Sequence, residues 1–192
     1  MIIRFGTALG LAIVLLASGN ALSQQKDPLF HANLKGYQEV PAVSTVATGQ
    51  FRATIANDTS INYELTYSGL EGTVTQAHIH FGQKSVVGGI SLWLCQTGTN
   101  KDPTNLAPQC PQETSANSPV TGVLTAANLV GPAGQLIVGS ATGGTAEEFA
   151  EIIKEIKSGV TYVNVHSSKV GTGEIRGHIE LTRGQSEEKR VK

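Results

Sequence analysis

The stretch "INYELTY", residues 61–67, decides the fold class because its apolar and polar residues alternate without a break. Every second residue, beginning with Ile61 and ending with Tyr67, is apolar, while Asn62, Glu64 and Thr66 lie between them. Successive side chains of a β-strand point to opposite faces of the sheet. The stretch therefore predicts a strand with one buried face and one face in water.

The same period of two continues on both sides of this stretch. It is found in "GQFRATIA" (49–56), "VTYVNVH" (160–166) and "GEIRGHIEL" (173–181). Four shorter runs also read as strands: "LFHANL" (29–34), "VTQAHIHF" (74–81), "GGISLWL" (88–94) and "GQLIVG" (134–139). Alternation with one wet face is typical of antiparallel sheets. We therefore expect an all-β fold, a mainly antiparallel sandwich or barrel with Greek-key-like connections.

One segment has the period of a helix instead. "TAEEFAEIIKEIKSG" (145–159) begins with Thr145 and Glu148 at the spacing of a capping box and ends at Gly159. Its apolar residues Phe149, Ile152, Ile153 and Ile156 form one stripe. We expect one amphipathic helix packed across an opening of the β structure, and a short helical turn at "TAANL" (125–129).

The first 23 residues have the layout of a secretory signal peptide. Arg4 precedes the apolar run "ALGLAIVLLA" (8–17), and small residues follow at Ala21-Leu22-Ser23. The run is shorter than the roughly 20 residues that a membrane span requires. We expect a signal peptide (1–23), a short linker (24–28), a β domain (29–182), a flexible charged tail (183–192) and no membrane span. The protein would then be secreted or otherwise extracytoplasmic, in a periplasm or at the cell exterior.

The charge of the chain argues against nucleic-acid binding. Without Arg4, 13 basic residues face 15 acidic ones, so the mature chain carries a net charge of −2. Nucleic-acid binding depends on a concentrated basic face that releases counterions. Nucleic acid is therefore not expected among the partners, and no membrane span is expected in the chain.

The two cysteines, Cys95 and Cys110, fit an exported protein. In an oxidising compartment an isolated pair usually forms a disulfide. This one would close the loop "QTGTNKDPTNLAPQ" between them. The alternative is a pair of free thiols.

Four blocks, in this order, closely resemble the CHRD (chordin-type) domain. They are "LKGYQEVPAVSTVATGQF" (34–51), "LTYSGLEGTVTQAHIHFG" (65–82), "VTGVLTAANLVGP" (120–132) and "YVNVHSSKVGTGEIRGHI" (162–179). The resemblance implies an extracellular β-rich module and supplies no activity. We therefore expect a non-catalytic binding or structural module with an unknown extracellular or envelope partner.

Four histidines indicate an alternative function, which is metal binding. His78 and His80 lie two residues apart in a predicted strand, so they share a face about 7 Å apart, opposite Ile79. His166 and His178 occupy the polar register of later strands. If these strands are neighbours, the imidazoles converge on a site suited to copper or zinc, although hydrogen-bonded polar residues on a wet face would give the same pattern. "HIHFG" (78–82) is also similar to the paired-histidine strand of copper/zinc superoxide dismutase, so a dismutase-like or a metal-sequestering role is possible.

Two charged residues are candidate partners of these histidines. Glu174 and Arg176 lie on one strand face and could orient a histidine ligand, or they could form a cross-strand salt bridge. No catalytic residue is predicted. The chain has no G-x-S-x-G elbow for a serine nucleophile, and Thr145 stands where a phosphate-binding loop needs lysine.

Overall fold

The structure is a computed structural model that describes residues 28–182. The predicted signal peptide (1–23), all of the linker but Pro28, and the predicted tail (183–192) lie outside the described residues. The elements are β1 (Leu29–Lys35), β2 (Thr48–Ala56), β3 (Ser60–Ser68), β4 (Val74–Phe81), β5 (Gly89–Cys95), β6 (Val120–Leu124), α1 (Ala146–Lys157), β7 (Thr161–Ser167), β8 (Ile175–His178) and β9 (Glu180–Leu181).

The strands form one antiparallel sheet in the order β5-β4-β7-β8-β1-β2-β3-β6, with β9 paired to β1. The sheet curls until its end strands approach each other. Leu92 of β5 forms a bridge with Leu129, shortly after β6, and the Tyr63 hydroxyl of β3 donates to the Leu94 carbonyl at 2.6 Å. The result is a nearly closed barrel whose connections skip strands in the Greek-key manner, which confirms the predicted fold class.

Alternation along β2 and β3 has the expected physical basis. The two strands pair without interruption from Thr48↔Ser68 to Ala56↔Ser60. Their inward residues are Phe51, Ala53 and Ile55 on β2 and Ile61, Tyr63, Leu65 and Tyr67 on β3, and each is at most 4% exposed. Burial of this apolar surface is the main free-energy gain on folding. The strands predicted at 49–56 and 61–67 are confirmed.

The predicted helix is also confirmed. The Thr145 hydroxyl accepts a hydrogen bond from the Glu148 N–H at 3.2 Å, and the Glu148 carboxylate accepts one from the Thr145 N–H at 2.8 Å. The stripe of Phe149, Ile152, Ile153 and Ile156 joins the barrel core. The turn expected at 125–129 is a 3₁₀ helix at Ala126–Asn128. Within residues 28–182, no helix has the length and apolar character to span a membrane.

One predicted strand is wrong and one strand was not predicted. Residues 134–139 form no strand, because Ala133–Gln135 close a 3₁₀ turn and Leu136 takes a left-handed conformation with φ of 69°. The strand β6 lies earlier, at Val120–Leu124. The apolar–polar alternation of this strand is weak because its middle residue, Gly122, has no side chain. Glycine is required there, since the Tyr63 ring leaves no room for a Cβ.

The expectation of one wet face is wrong for β4, β7 and β8. All seven residues of β7 and all four of β8 are buried. The reason is that three connecting segments, residues 36–46, 82–88 and 168–173, fold over the outer face of these strands, where they contact Glu174, His80 and His166 respectively. Polar side chains that the sequence places in water are therefore enclosed.

The disulfide Cys95–Cys110 is present, as predicted. It ties the end of β5 to the long irregular segment that follows. The Asp102 carboxylate organises this segment by accepting from the N–H groups of Thr104, Leu106 and Ala107. The segment thus has a covalent anchor and a buried polar anchor of its own.

Candidate metal centre

The register of β4 and β7 brings four polar side chains together on the outer face of the barrel. His78 and His80 of β4 point to this face, and so do Asn164 and His166 of β7. His78 pairs directly with Asn164, whereas His166 pairs with Gln76. Side chains opposite each other on neighbouring strands are about 5 Å apart at Cβ. Pairing of β4 with β7 therefore places the histidines of both strands within reach of one ion.

Three imidazoles form a close group. One nitrogen each of His78, His80 and His166 lies within 4.8 Å of the other two. The three residues are 0%, 7% and 6% exposed. Ligand atoms about 2.1 Å from a tetrahedral zinc are about 3.4 Å apart. Small rotations of the rings would therefore bring all three nitrogens to one ion.

Hydrogen bonds to backbone carbonyls orient two of the rings. His80 Nδ1 donates to the Gly88 carbonyl at 2.9 Å, and His166 Nδ1 donates to the Gly171 carbonyl at 3.0 Å. Because Nδ1 carries the proton, Nε2 of each ring keeps its lone pair. Histidine ligands of metals are usually held by such an outer bond. The described residues supply no hydrogen-bond partner for His80 Nε2 or for either nitrogen of His78.

Burial keeps these imidazoles neutral. Burial, with smaller contributions from the neighbouring histidines, lowers the pKa of His78 well below its ordinary value and that of His80 to about 4. Burial also lowers the pKa of His166, against the opposing effect of its bond to Gly171. Neutral imidazole is the form that binds a metal. The group therefore needs no deprotonation near neutral pH in order to do so.

Two aromatic rings flank the group. Trp93 meets His78 edge-on with ring centroids 4.3 Å apart, and Tyr162 stacks on His80 at 4.7 Å. Without a register shift, the pairing of Ala77 with Cys95 would set Leu94 opposite His78. A register shift between β4 and β5 instead sets Trp93 opposite His78. Alternation alone gives no sign of such a shift.

His178 lies outside the group of three. It stands on β8 across from Tyr162, with ring centroids 5.8 Å apart, and its Nε2 is 3.2 Å from Nη2 of Arg176. Burial and, to a lesser extent, the charge of Arg176 lower the pKa of His178 to about 4. Of the four predicted histidines, the structure brings three together and places the fourth two strands from β4.

Arg176 is a buried cation that holds a loop. It is 1% exposed, and its guanidinium carbon lies 3.4 Å from the centroid of the Tyr162 ring. Nη2 donates to the carbonyls of Gln83 and Val86, at 3.1 and 2.9 Å. That loop ends at Gly88, whose carbonyl orients His80. Arg176 thus contacts the group of three only indirectly, through Tyr162 and this loop.

Glu174 anchors other segments that lie over the outer face of the barrel. Its fully buried carboxylate accepts from the Thr45 hydroxyl and the Glu71 N–H, each at 2.8 Å, and from the Ser167 hydroxyl. Among the described residues, neither Glu174 nor Arg176 is in an ion pair within 4.0 Å. Glu174 joins three segments of the chain and lies outside the group of histidines.

A family model of the CHRD domain matches residues 30–179. The chain belongs to the CHRD domain family. The match includes both β4 and β7, so the group of histidines lies inside the CHRD domain. No curated protein and no solved structure matches the chain.

Proposed function

We propose that this CHRD domain protein is an exported, non-catalytic module that binds one copper or zinc ion through His78, His80 and His166. One observation carries the proposal: three buried, neutral imidazoles converge, and both ring nitrogens of His78 and Nε2 of His80 have no hydrogen-bond partner among the described residues. Metal ions of this class are bound by such nitrogens.

The alternative, hydrogen-bonded polar residues, does not account for His78. This residue is fully buried, and neither of its ring nitrogens has a hydrogen-bond partner among the described residues. An unpaired buried polar group costs about 1–3 kcal/mol. A metal bond to His78 would offset this cost, which supports metal binding over a purely structural role.

The site suits the binding of a metal ion better than catalysis at that ion. The three imidazoles are at most 7% exposed beneath the loops after β4 and β7, so a substrate has little access to an ion held there. A role outside the cytoplasm is supported by the signal-like residues 1–23 and by the Cys95–Cys110 disulfide. The partner that would accept or deliver the ion is left open.

Trp93 allows a direct test, because it is the single tryptophan of the chain and touches His78. Purified protein is titrated with Cu(II), which quenches nearby indole fluorescence, and then with Zn(II) as a competitor. We expect quenching that saturates at one equivalent and that a large excess of zinc reverses, because such sites bind Cu(II) more tightly than Zn(II). The His78→Ala, His80→Ala double variant should lose it, while His178→Ala, a buried histidine outside the group, should retain it.

Negligible and equal metal binding by the wild type and the double variant would overturn the proposal and favour a module without a metal. If copper binds, superoxide turnover by the loaded protein separates the two remaining roles. Absence of turnover is expected for a holding or sequestering site, and turnover lost in the double variant would assign a redox role instead.

A further inference from the structure

On the basis of the proposed metal site, we infer that the side-chain oxygen of Asn164 is its fourth ligand, so that the site is closed to water and suited to zinc. Asn164 stands directly across from His78 in the pairing of β4 with β7, and two residues before His166. It therefore lies on the same polar face as the three imidazoles, and it is itself only 3% exposed.

The contact between Asn164 and His166 places the amide oxygen beside a ring nitrogen of the proposed site. Asn164 Oδ1 lies 3.1 Å from His166 Nε2. His166 Nδ1 donates to the Gly171 carbonyl, so Nε2 of the neutral ring has a lone pair and no proton. Two acceptors thus face each other in a buried place. Two ligand atoms of one tetrahedral zinc are about 3.4 Å apart, close to the distance between Asn164 Oδ1 and His166 Nε2. An ion bound to both atoms would replace the contact between two acceptors with two metal–ligand bonds.

Glu39 and the amide nitrogen of Asn164 lie close together above Gly173. Gly173 has a φ of +121° and no side chain, which lets two atoms approach: Glu39 Oε1 and Asn164 Nδ2 lie 2.5 and 2.7 Å from where a Cβ on Gly173 would stand. A carboxyl oxygen without a proton, which Glu39 has in either protonation state, only accepts hydrogen bonds. It therefore favours the amide nitrogen on its own side, and Oδ1 on the side of His166. We assign Glu39 as a positioning residue that acts through Asn164.

A fourth protein ligand changes what the site can do. Zinc sites with four protein ligands are structural, whereas catalytic zinc sites keep one position for water. Four ligands that surround one point also suit zinc better than Cu(II), which prefers tetragonal sites. A closed site agrees with the low exposure of its histidines and assigns the ion a holding role.

Asn164→Leu and Asn164→Asp test the ligand, with the exposed Asn33→Leu on β1 as the matched control. Zinc affinity is measured by competition with a chelator, and the sites are then loaded with Co(II), whose visible spectrum reports coordination number. We expect Asn164→Leu to weaken zinc binding at least about 10-fold, the lower bound for loss of even an outer partner. Asn164→Asp should retain the ion and the tetrahedral spectrum, and Asn33→Leu should match the wild type.

Azide supplies a readout that a purely structural role of Asn164 would not change. In the wild type, azide should leave the Co(II) spectrum unaltered, because no coordination position is open. In Asn164→Leu the spectrum should shift as azide enters the vacated position. Glu39→Gln, which can present an N–H to the amide oxygen, should acquire partial azide sensitivity while it still binds one ion.

The outcomes separate the two proposals. A wild type that binds no metal overturns the proposed function. A wild type that binds one ion, with unchanged affinity in Asn164→Leu or with azide entering its own Co(II) site, overturns only the role of Asn164. If Asn164→Leu does not fold, Asn164→Asp decides: a retained, azide-insensitive tetrahedral spectrum supports the inference, and an azide-sensitive or non-tetrahedral one contradicts it.

Discussion

Replacement of His78 by leucine should stabilise the metal-free protein while it abolishes metal binding. His78 is fully buried, and neither ring nitrogen has a hydrogen-bond partner among the described residues. Its neighbours are the rings of Trp93, His166 and His80, with centroids 4.3 to 5.4 Å away. A leucine side chain can occupy this space without a polar group to satisfy.

The magnitude follows from two opposing contributions. An unpaired buried donor or acceptor costs about 1–3 kcal/mol. A change of side-chain shape at similar volume usually costs less than about 1.5 kcal/mol. We therefore expect the free energy of unfolding of His78→Leu to exceed that of the wild type by about 1–2 kcal/mol. For a chain of this size, this corresponds to a rise in Tm of about 2–8 °C.

The assay is urea denaturation in excess chelator, followed by far-UV circular dichroism because Trp93 fluorescence is sensitive to His78 itself. His166→Leu is the matched control. Nδ1 of His166 donates to the Gly171 carbonyl, and leucine leaves that carbonyl without its donor, so this substitution should destabilise the protein by about 1–3 kcal/mol. With zinc at about 100 times its Kd, the wild type should gain about 2.7 kcal/mol and His78→Leu nothing.

Equal destabilisation of both leucine variants in chelator would refute this reasoning. It would mean that His78 is satisfied in the metal-free protein and that its unpaired nitrogens carry no free-energy cost. The case for a metal at this position would then lose its main energetic support.

Further predictions concern the cover of the site, the disulfide and pH. Arg176→Met should lower the free energy of unfolding by about 1–3 kcal/mol and speed amide exchange in the loop after β4, because two loop carbonyls lose their donor, whereas the exposed Arg52→Met should be near neutral. Serine at both Cys95 and Cys110 should cost about 3 kcal/mol in denaturant, the entropy of a loop of roughly 15 residues. Burial raises the pKa of Glu39 from 4.5 to about 7, so the folded state holds this proton more tightly than the unfolded state, and stability is lost as pH rises from 4.5 through 7. Glu39→Gln should therefore match the wild type near pH 4 and exceed it at pH 8 by on the order of 1–3 kcal/mol, and a pH-independent difference would contradict this cause.

Local features of the chain could be predicted from the sequence because they depend on backbone geometry alone. The alternation in "INYELTY" specifies which side chains of β3 enter the core, whatever the neighbouring strands are. The spacing of Thr145 and Glu148 specifies the start of α1 through bonds within one turn. The same geometry sets His78 and His80 on one face, opposite Ile79.

Irregular backbone, by contrast, could not be predicted from the hydrophobic pattern of the sequence. The apolar residues of 134–139 read as a strand, yet a 3₁₀ turn and a left-handed Leu136 interrupt them. Strand β6 is harder to recognise because Gly122 makes room for Tyr63, which is a contact between strands distant in the sequence. The register shift that brings Trp93 to His78 likewise depends on both paired strands at once.

The sequence alone specifies an antiparallel β-rich chain with one capped helix, a disulfide between its two cysteines and two histidines that share a strand face. The tertiary structure adds the position of β7 beside β4, which brings His166 and Asn164 to that face and leaves His178 with Arg176. It also decided that loops bury this face and that Glu39 approaches Asn164 over Gly173. The difference lies in sequence separation. Periodicity is a property of neighbouring residues, whereas the pairing of β4 with β7 and the burial of their shared face depend on contacts between segments about 85 residues apart in the chain.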